Sequence, residues 1–405
     1  MKAPSMLRED LSKSLLQVAL AGFFLAGGAG FDGSSWIARA AAQQGGEQGP
    51  MPARPAAFLA QTSAGATLAP AMEIPALLSS GALKGRKLIL AGWGGLQSDT
   101  TLKNFVKPFE DASGVQVTMI AAGGGFAAKV AAQADAKNVQ WDMIDGPGAE
   151  GDILATMNLL ESFPASLMSA LKPLVRPDQL VEPWRLRYGQ APYLIACNPA
   201  VMKKCPSNPR ELWDTENFPG PRGILLSTPF AILTISEEAA GVPRDKLFPI
   251  DVPLAIGNLR KLKPSVKVWA VTQSQGQQIL ADGEVGVEII SNGRANDLKK
   301  ELPDLKISWD GAAVNPDGWV VPKGAANADV AFAFILWAAQ HPENQAAWTT
   351  TMHNLTPAKD LAKYLSPEVY ATTALAHDPI NVPHEVVVNQ RDEIKAAMEK
   401  LLSGE

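Results

Sequence analysis

From Arg86 onward, short apolar runs bounded by glycine and turn residues alternate with longer segments whose apolar positions recur at helical spacing. Lys87–Ala91 (KLILA) has the pattern of a buried strand, and Ser98–Asp111 carries Leu102, Phe105, Val106 and Phe109 on one helical face. Val115–Ile120 is a second strand, Phe126–Ala136 a second helix, and Trp141–Ile144 a short third strand that ends at the turn Asp145-Gly146-Pro147-Gly148. The same rhythm returns with strand Gly223–Ser227, helix Asp251–Leu262, strand Val266–Ala270, helix Gln275–Asp282 and strand Gly286–Ile290. Ile307–Trp309, Gly318–Val321 and an apolar helix over Ala328–Gln340 follow. Strand and helix in alternation predict an α/β fold with mainly parallel sheets. No short internal repeat is visible.

The first 85 residues do not follow this pattern. Arg8 and Lys13 precede an apolar run from Leu15 to Gly30, and Ile37–Gln43 (IARAAAQ) offers small residues at the spacing of a cleavage site. This predicts a secretory signal peptide over 1–42, cut near Ala40–Ala42. The run is rich in glycine and shorter than the roughly 20 residues of a spanning helix. Residues 43–85, rich in Gly, Pro, Ala and Gln, read as a flexible leader with at most a short helix near Met72–Leu78.

A chain of 405 residues exceeds one hydrophobic core, so two lobes are expected. With 46% hydrophobic and 19% charged residues, a disordered chain is excluded. The net charge of −5, without a Lys/Arg cluster, argues against nucleic acid as a partner. Four histidines without tight ligand spacing (His341, His353, His377, His384) give no metal site, and no nucleophile motif or phosphate loop is present. An enzyme is therefore not expected, nor is a cofactor. Gly123-Gly124-Gly125, between a strand and a helix, suits either an anion cradle or a plain turn. Cys197 and Cys205, eight apart, could form a local disulfide in an exported protein; the sequence does not decide it.

Several motifs, weak singly but specific in their order, carry a resemblance. They are AGWGG (Ala91–Gly95), FEDASGVQV (Phe109–Val117), ELWD (Glu211–Asp214) and GPRGILL (Gly220–Leu226). LRKLKPSVKVW (Leu259–Trp269), ILADGEVGVEI (Ile279–Ile289), DGWVVPKGAAN (Asp317–Asn327) and HPENQAAW (His341–Trp348) continue the series. Over about Leu88–Leu365 the chain resembles the extracytoplasmic solute-binding proteins of ABC importers, in the branch of the spermidine/putrescine receptors. The resemblance implies a type II periplasmic-binding fold, two α/β lobes with the ligand in the cleft between them. It implies lobe 1 over 86–194 plus about 315–350, and lobe 2 over 197–312 plus part of 351–405. Crossings are expected near Tyr193–Asn198 and Ala312–Asn315. A monomeric periplasmic receptor that serves ABC permease subunits would follow.

The departures from the polyamine pattern bear on the ligand. Asp317 keeps an acidic position that can face an ammonium group, although it also suits the turn Asn-Pro-Asp-Gly. The aromatic two residues earlier is replaced by Asn315, and an expected acidic cluster by Ser227-Thr228-Pro229-Phe230. Ser291-Asn292-Gly293-Arg294 replaces an acid with Arg294, which suits either a ligand carboxylate or a rim salt bridge. The expected ligand is a small amine or zwitterion, with polyamine binding as the alternative. The expected site comprises Trp93, Phe126, Tyr188, Ser227, Thr228, Asn292, Arg294 and Asp317, with Trp319 in the core. A ferric-iron receptor would need paired tyrosines; Tyr188, Tyr193, Tyr364 and Tyr370 include no adjacent pair.

Overall fold

The computed structural model describes residues 73–403 except 181 and 316. The expected signal peptide lies outside the described residues, as does most of the leader. The leader's last part forms a helix, Ile74–Ser79, with Ile74 and Leu77 buried.

Two sheets organise the chain. The first has the order β2-β1-β3-β10-β4. Its strands are β1 (Lys87–Gly92), β2 (Gln116–Ala121), β3 (Met143–Asp145), β4 (Arg185–Arg187) and β10 (Gly318–Val320). β1 runs parallel to β2 and β3, whereas β10 is antiparallel to its two neighbours. The second sheet has the order β11-β9-β5-β8-β6-β7. It is built from β5 (Pro192–Cys197), β6 (Arg222–Leu225), β7 (Val266–Ala270), β8 (Val287–Ser291), β9 (Lys306–Val314) and β11 (Ile380–Asn381). β6 pairs in parallel with β7 and β8, and β5 is antiparallel to β8 and β9. The antiparallel pairings thus fall on the strands that lead between the sheets: the chain crosses between Arg187 and Pro192 and returns between Val314 and Gly318. This is the two-lobe α/β architecture of the type II periplasmic binding proteins.

Period-two alternation explains why each sheet is covered on both faces. In β1, Leu88 and Leu90 pack with the helices that carry Phe109, Leu167 and Phe334, while Ala91 packs with Phe126, Val130 and Leu154 on the other side. In β5, Ile195 and Cys197 join the core under helices Pro229–Ala239, Val252–Leu262 and His384–Ser403; Leu194 and Ala196 face helices Gln273–Ala281 and Asn292–Leu298.

One helix departs from its expected form. The segment predicted over Ser98–Asp111 begins at Gly95, widens into a π turn over Leu102–Val106 and continues as Lys107–Ser113. Pro108 accounts for the bulge, since its ring would strike the carbonyl one turn earlier and it has no N–H to donate. Cys197, the last residue of β5, is joined to Cys205 with their Cα atoms 5.7 Å apart.

Candidate ligand-binding site

The loops that follow β1 and β3 converge on Asp317, and Asn315, two residues earlier, bonds Thr228 after β6; such strand ends are the usual place for a ligand in open α/β sheets. On the first lobe the organising residue is Asp317, in the short link between β9 and β10. Its Oδ1 accepts the backbone N–H groups of Gly148, at 2.8 Å, and Gly318, at 2.7 Å. Gly146 turns with φ 70°; a β-carbon there would lie 2.9 Å from Gln97 Nε2, 3.5 Å from Asp317 Oδ2 and 3.6 Å from Trp93 Nε1. Gln97, Asp317 and Trp93 thus converge on position 146, where the left-handed backbone already favours glycine. The Trp93 indole N–H donates to the Gly146 carbonyl, and its ring, 39% exposed, is braced edge-on by Phe126 at 5.2 Å. Gly124 makes room for that ring, since a β-carbon there would stand 3.0 Å from it.

Burial raises the Asp317 carboxyl to about 7, against the pull of the Gly148 and Gly318 N–H groups and of Arg185; Asp145 adds to the rise. Behind it, Asp145 is fully buried and pushed up to about 6 by desolvation, while it accepts Trp319 Nε1 at 2.9 Å and the Thr101 hydroxyl at 3.0 Å. The first lobe thus offers one carboxylate and an exposed indole face.

The second lobe offers the opposite sign. Helix Pro229–Ala239 starts after Thr228 with no side-chain cap on its first N–H groups. The Ser227 hydroxyl is buried there without a partner. Thr228 Oγ1 accepts from Asn315 Nδ2 at 2.8 Å, which leaves the Asn315 carbonyl oxygen buried and unpartnered. Arg294, on helix Asn292–Leu298, donates to Gln277 Oε1 at 2.7 Å. Burial draws its guanidinium below the ordinary range, opposed by Asp297 and Tyr193. Tyr193 stands at the centre: Gln273 Nε2 donates to its hydroxyl at 3.2 Å, and Thr228 lies beside it. Desolvation pushes this phenol up to about 12, with the charge of Asp317 raising it and that of Arg294 lowering it.

The expected site residues separate into groups. Trp93, Asp317, Ser227, Thr228 and Arg294 border the same region. Phe126 was expected to line the cleft, but it is fully buried, with its ring against those of Trp93 and Trp141. Tyr188 is likewise fully buried, stacked on Trp319 at 4.0 Å, because the lobe core claims its ring; its hydroxyl lies beside Thr101 with Asp145 and Asp317 near. Asn292 spends its amide N–H on the His353 carbonyl at 2.7 Å, and its Oδ1 is buried and unpartnered. The cradle formed by Gly123–Gly125 already holds a carboxyl group from the chain itself. Glu150 accepts Gly125 N at 3.0 Å and Ala127 N at 2.8 Å, and burial pushes it up to about 7.

Tyr193, Gln97, Gln273 and Gln277 were not foreseen. A readable signal existed for the last two: Gln273–Gln278 follows strand β7 directly, so its neutral polar side chains start at a strand end that faces the cleft.

Fold and site geometry together define a two-lobe solute-binding protein. Residues 104–377 match the family described as bacterial extracellular solute-binding protein, and the chain belongs to that family. It is 30% identical over 277 residues to the gamma-aminobutyric acid-binding protein of Pseudomonas aeruginosa, covering 65% of this chain and 75% of that protein. The solved Atu4243–GABA receptor superposes with a TM-score of 0.70 at 25% identity, covering 78% of this chain and 97% of the receptor. The binding protein MotA from A. tumefaciens B6, in complex with glucopine, gives 0.68 at 25% identity over 78% of this chain and 99% of its own. The chain is a receptor rather than an enzyme, a solute-binding component that serves an ABC importer. These relatives support the family without singling out its spermidine/putrescine branch.

Proposed function

We propose that this receptor captures a small ω-amino acid of the γ-aminobutyrate kind, outside the cytoplasmic membrane, as a monomer. The ammonium end would sit between Asp317 and the face of Trp93. The carboxylate end would sit on Arg294, Ser227 and the uncapped start of helix Pro229–Ala239. The observation that carries this reading is a pair of opposite charges, one on each lobe, that do not neutralise each other. Among the described residues no ion pair joins Asp317 to Arg294, and the charges that act on each do not include the other, yet the Tyr193 phenol senses both. The names of the relatives support the same class of ligand.

The charge balance disfavours a long dication. A second ammonium would be desolvated opposite hydroxyls or a guanidinium, and burying an unpaired charge costs several kcal/mol of the roughly 8 that micromolar binding supplies. The zwitterion, in contrast, bridges both lobes and so favours the closed state over the open one. We assign the lobe boundaries to the two crossings, near 188–191 and 315–317. Calorimetry against γ-aminobutyrate, α-amino acids, putrescine and spermidine tests the reading. Micromolar or tighter binding of the ω-amino acid, lost in Arg294→Ala, supports it. Tight spermidine binding indifferent to Arg294→Ala sinks it and favours the polyamine alternative.

A further inference from the structure

Opposite charges on facing lobes create a problem that the ligand reading alone does not solve. With no ligand, a carboxylate and a guanidinium that border one cleft can pair directly, and such a salt bridge would compete with every zwitterion. The structure holds the two apart. Asp317 is tied back by two backbone N–H groups, and Arg294 is tied sideways to Gln277, which itself donates to Asp297 Oδ2 at 3.0 Å.

Between them stands Tyr193. Strand register places it there: in β5 it lies opposite Ser291 of β8, three residues before Arg294, and opposite Ala313 of β9, four residues before Asp317. Its ring therefore rises from β5, between β8 and β9, at the point from which the helix that carries Arg294 and the link that carries Asp317 both depart. The hydroxyl is fixed by Gln273 at 3.2 Å, and Gln273 is fixed in turn by the Ser291 hydroxyl, which donates to its Oε1 at 2.5 Å. Thr228 and Asn315 close the same hydrogen-bonded chain at 2.8 Å.

We infer that Tyr193 is a specificity-determining spacer, which keeps Asp317 and Arg294 from pairing and sets the smallest charge separation that a ligand must span. This rests on the zwitterion reading above and adds to it a selection by length. An α-amino acid, with one carbon between its charges, satisfies Asp317 or Arg294 but not both, and leaves the other desolvated. An ω-amino acid with several methylenes lies across the phenol ring and satisfies both.

The test measures the ratio of affinities for γ-aminobutyrate and its α-isomer, 2-aminobutyrate, in native protein, Tyr193→Phe and Tyr193→Ala. These two ligands share atoms and net charge, so the ratio reports spacing alone. Native protein should prefer the ω-isomer by tenfold or more. Tyr193→Phe keeps the ring and should keep the ratio while both affinities fall several-fold. Tyr193→Ala should bring the ratio towards one, and its empty crystal structure should show Arg294 paired directly with Asp317. Gln277→Leu, which frees Arg294 without touching the strand, should weaken both isomers and covers the case in which Tyr193→Ala does not fold. A ratio unchanged in Tyr193→Ala, or weakening absent in Gln277→Leu, overturns the spacer while leaving the zwitterion reading intact. Native protein that binds both isomers equally does the same. Native protein that binds neither overturns both.

Discussion

The carboxylate of Asp317 accepts the backbone N–H of Gly148 at 2.8 Å, across 169 residues of sequence. That one bond fixes the turn after β3 to the link that returns the chain to the first lobe. It also leaves the second oxygen, Oδ2, beside Trp93 and Gln97 around Gly146.

Asp317 in the empty protein should be partly protonated near neutrality, since burial holds its carboxyl at about 7. An ammonium ligand needs the ionised form, so affinity should rise with pH between about 5 and 8, and binding near pH 6 should release protons. Calorimetry in buffers of different ionisation enthalpy reads that release. Asp317→Asn should weaken γ-aminobutyrate by tenfold or more and remove the pH dependence. The same variant should melt higher than the empty native protein at pH 8, because an acid raised from 3.8 to about 7 loses stability as pH climbs through that window.

Glu288 gives a second pH dependence, away from the site. It is 0% exposed in β8, both carboxylate oxygens lack partners, and Gly223 and Gly276 make room for them. Desolvation alone raises it to about 8 from 4.5, a difference that corresponds to roughly 4–5 kcal/mol withdrawn from stability as pH rises through that interval. Glu288→Gln should therefore be stabilising at pH 8 and close to neutral at pH 4. Denaturant midpoints at the two pH values check it; equal shifts at both would show that the carboxyl is ionised and solvated.

The C-terminal helix is fastened to the first lobe through His384. Its Nδ1 lies 2.5 Å from Asp152 Oδ1, its ring rests near Trp184 at 5.8 Å, and Arg185 and Glu182 complete the surroundings. The Asp152 hydrogen bond and charge hold the imidazole above its ordinary value of 6.5. A raised histidine contributes fully below the unfolded value and loses its contribution as pH rises through the folded one. His384→Ala should thus cost about 1 kcal/mol at pH 6 and less at pH 9. A cost that grows with pH in thermal melts would contradict the pairing.

The Cys197–Cys205 bridge closes a short loop at the end of β5. A loop of eight residues restricts the unfolded chain by about 2–3 kcal/mol. The double variant Cys197→Ser/Cys205→Ser should lower the melting temperature by several degrees and leave ligand affinity within a few-fold, since neither sulfur borders the site. A large loss of affinity would place the loop nearer the chemistry than its position implies.

Much of this was present in the residues themselves. The apolar runs Leu88–Ala91 and Ala328–Gln340 needed no tertiary context, because a strand or helix buried on both faces reads as a continuous apolar stretch whose length and flanking glycines tell the two apart. The order of motifs from Ala91 to Trp348 carried the family, and Asp317, Arg294, Ser227 and Thr228 were visible as changes of charge at motif positions. What the tertiary structure decided was which aromatic rings reach the cleft and what stands between the charges. Phe126 and Tyr188 have the composition of cleft residues, yet core packing takes them, while Trp93 stays open because Gly124 yields it space. Glu150, distant in sequence, fills the glycine cradle that looked vacant. Tyr193 gave no signal of its own: its place depends on the register of β5 against β8 and β9, two pairings roughly 100 residues away that no local pattern encodes. Local propensity is written residue by residue, whereas register and burial are settled only when distant strands compete for the same core.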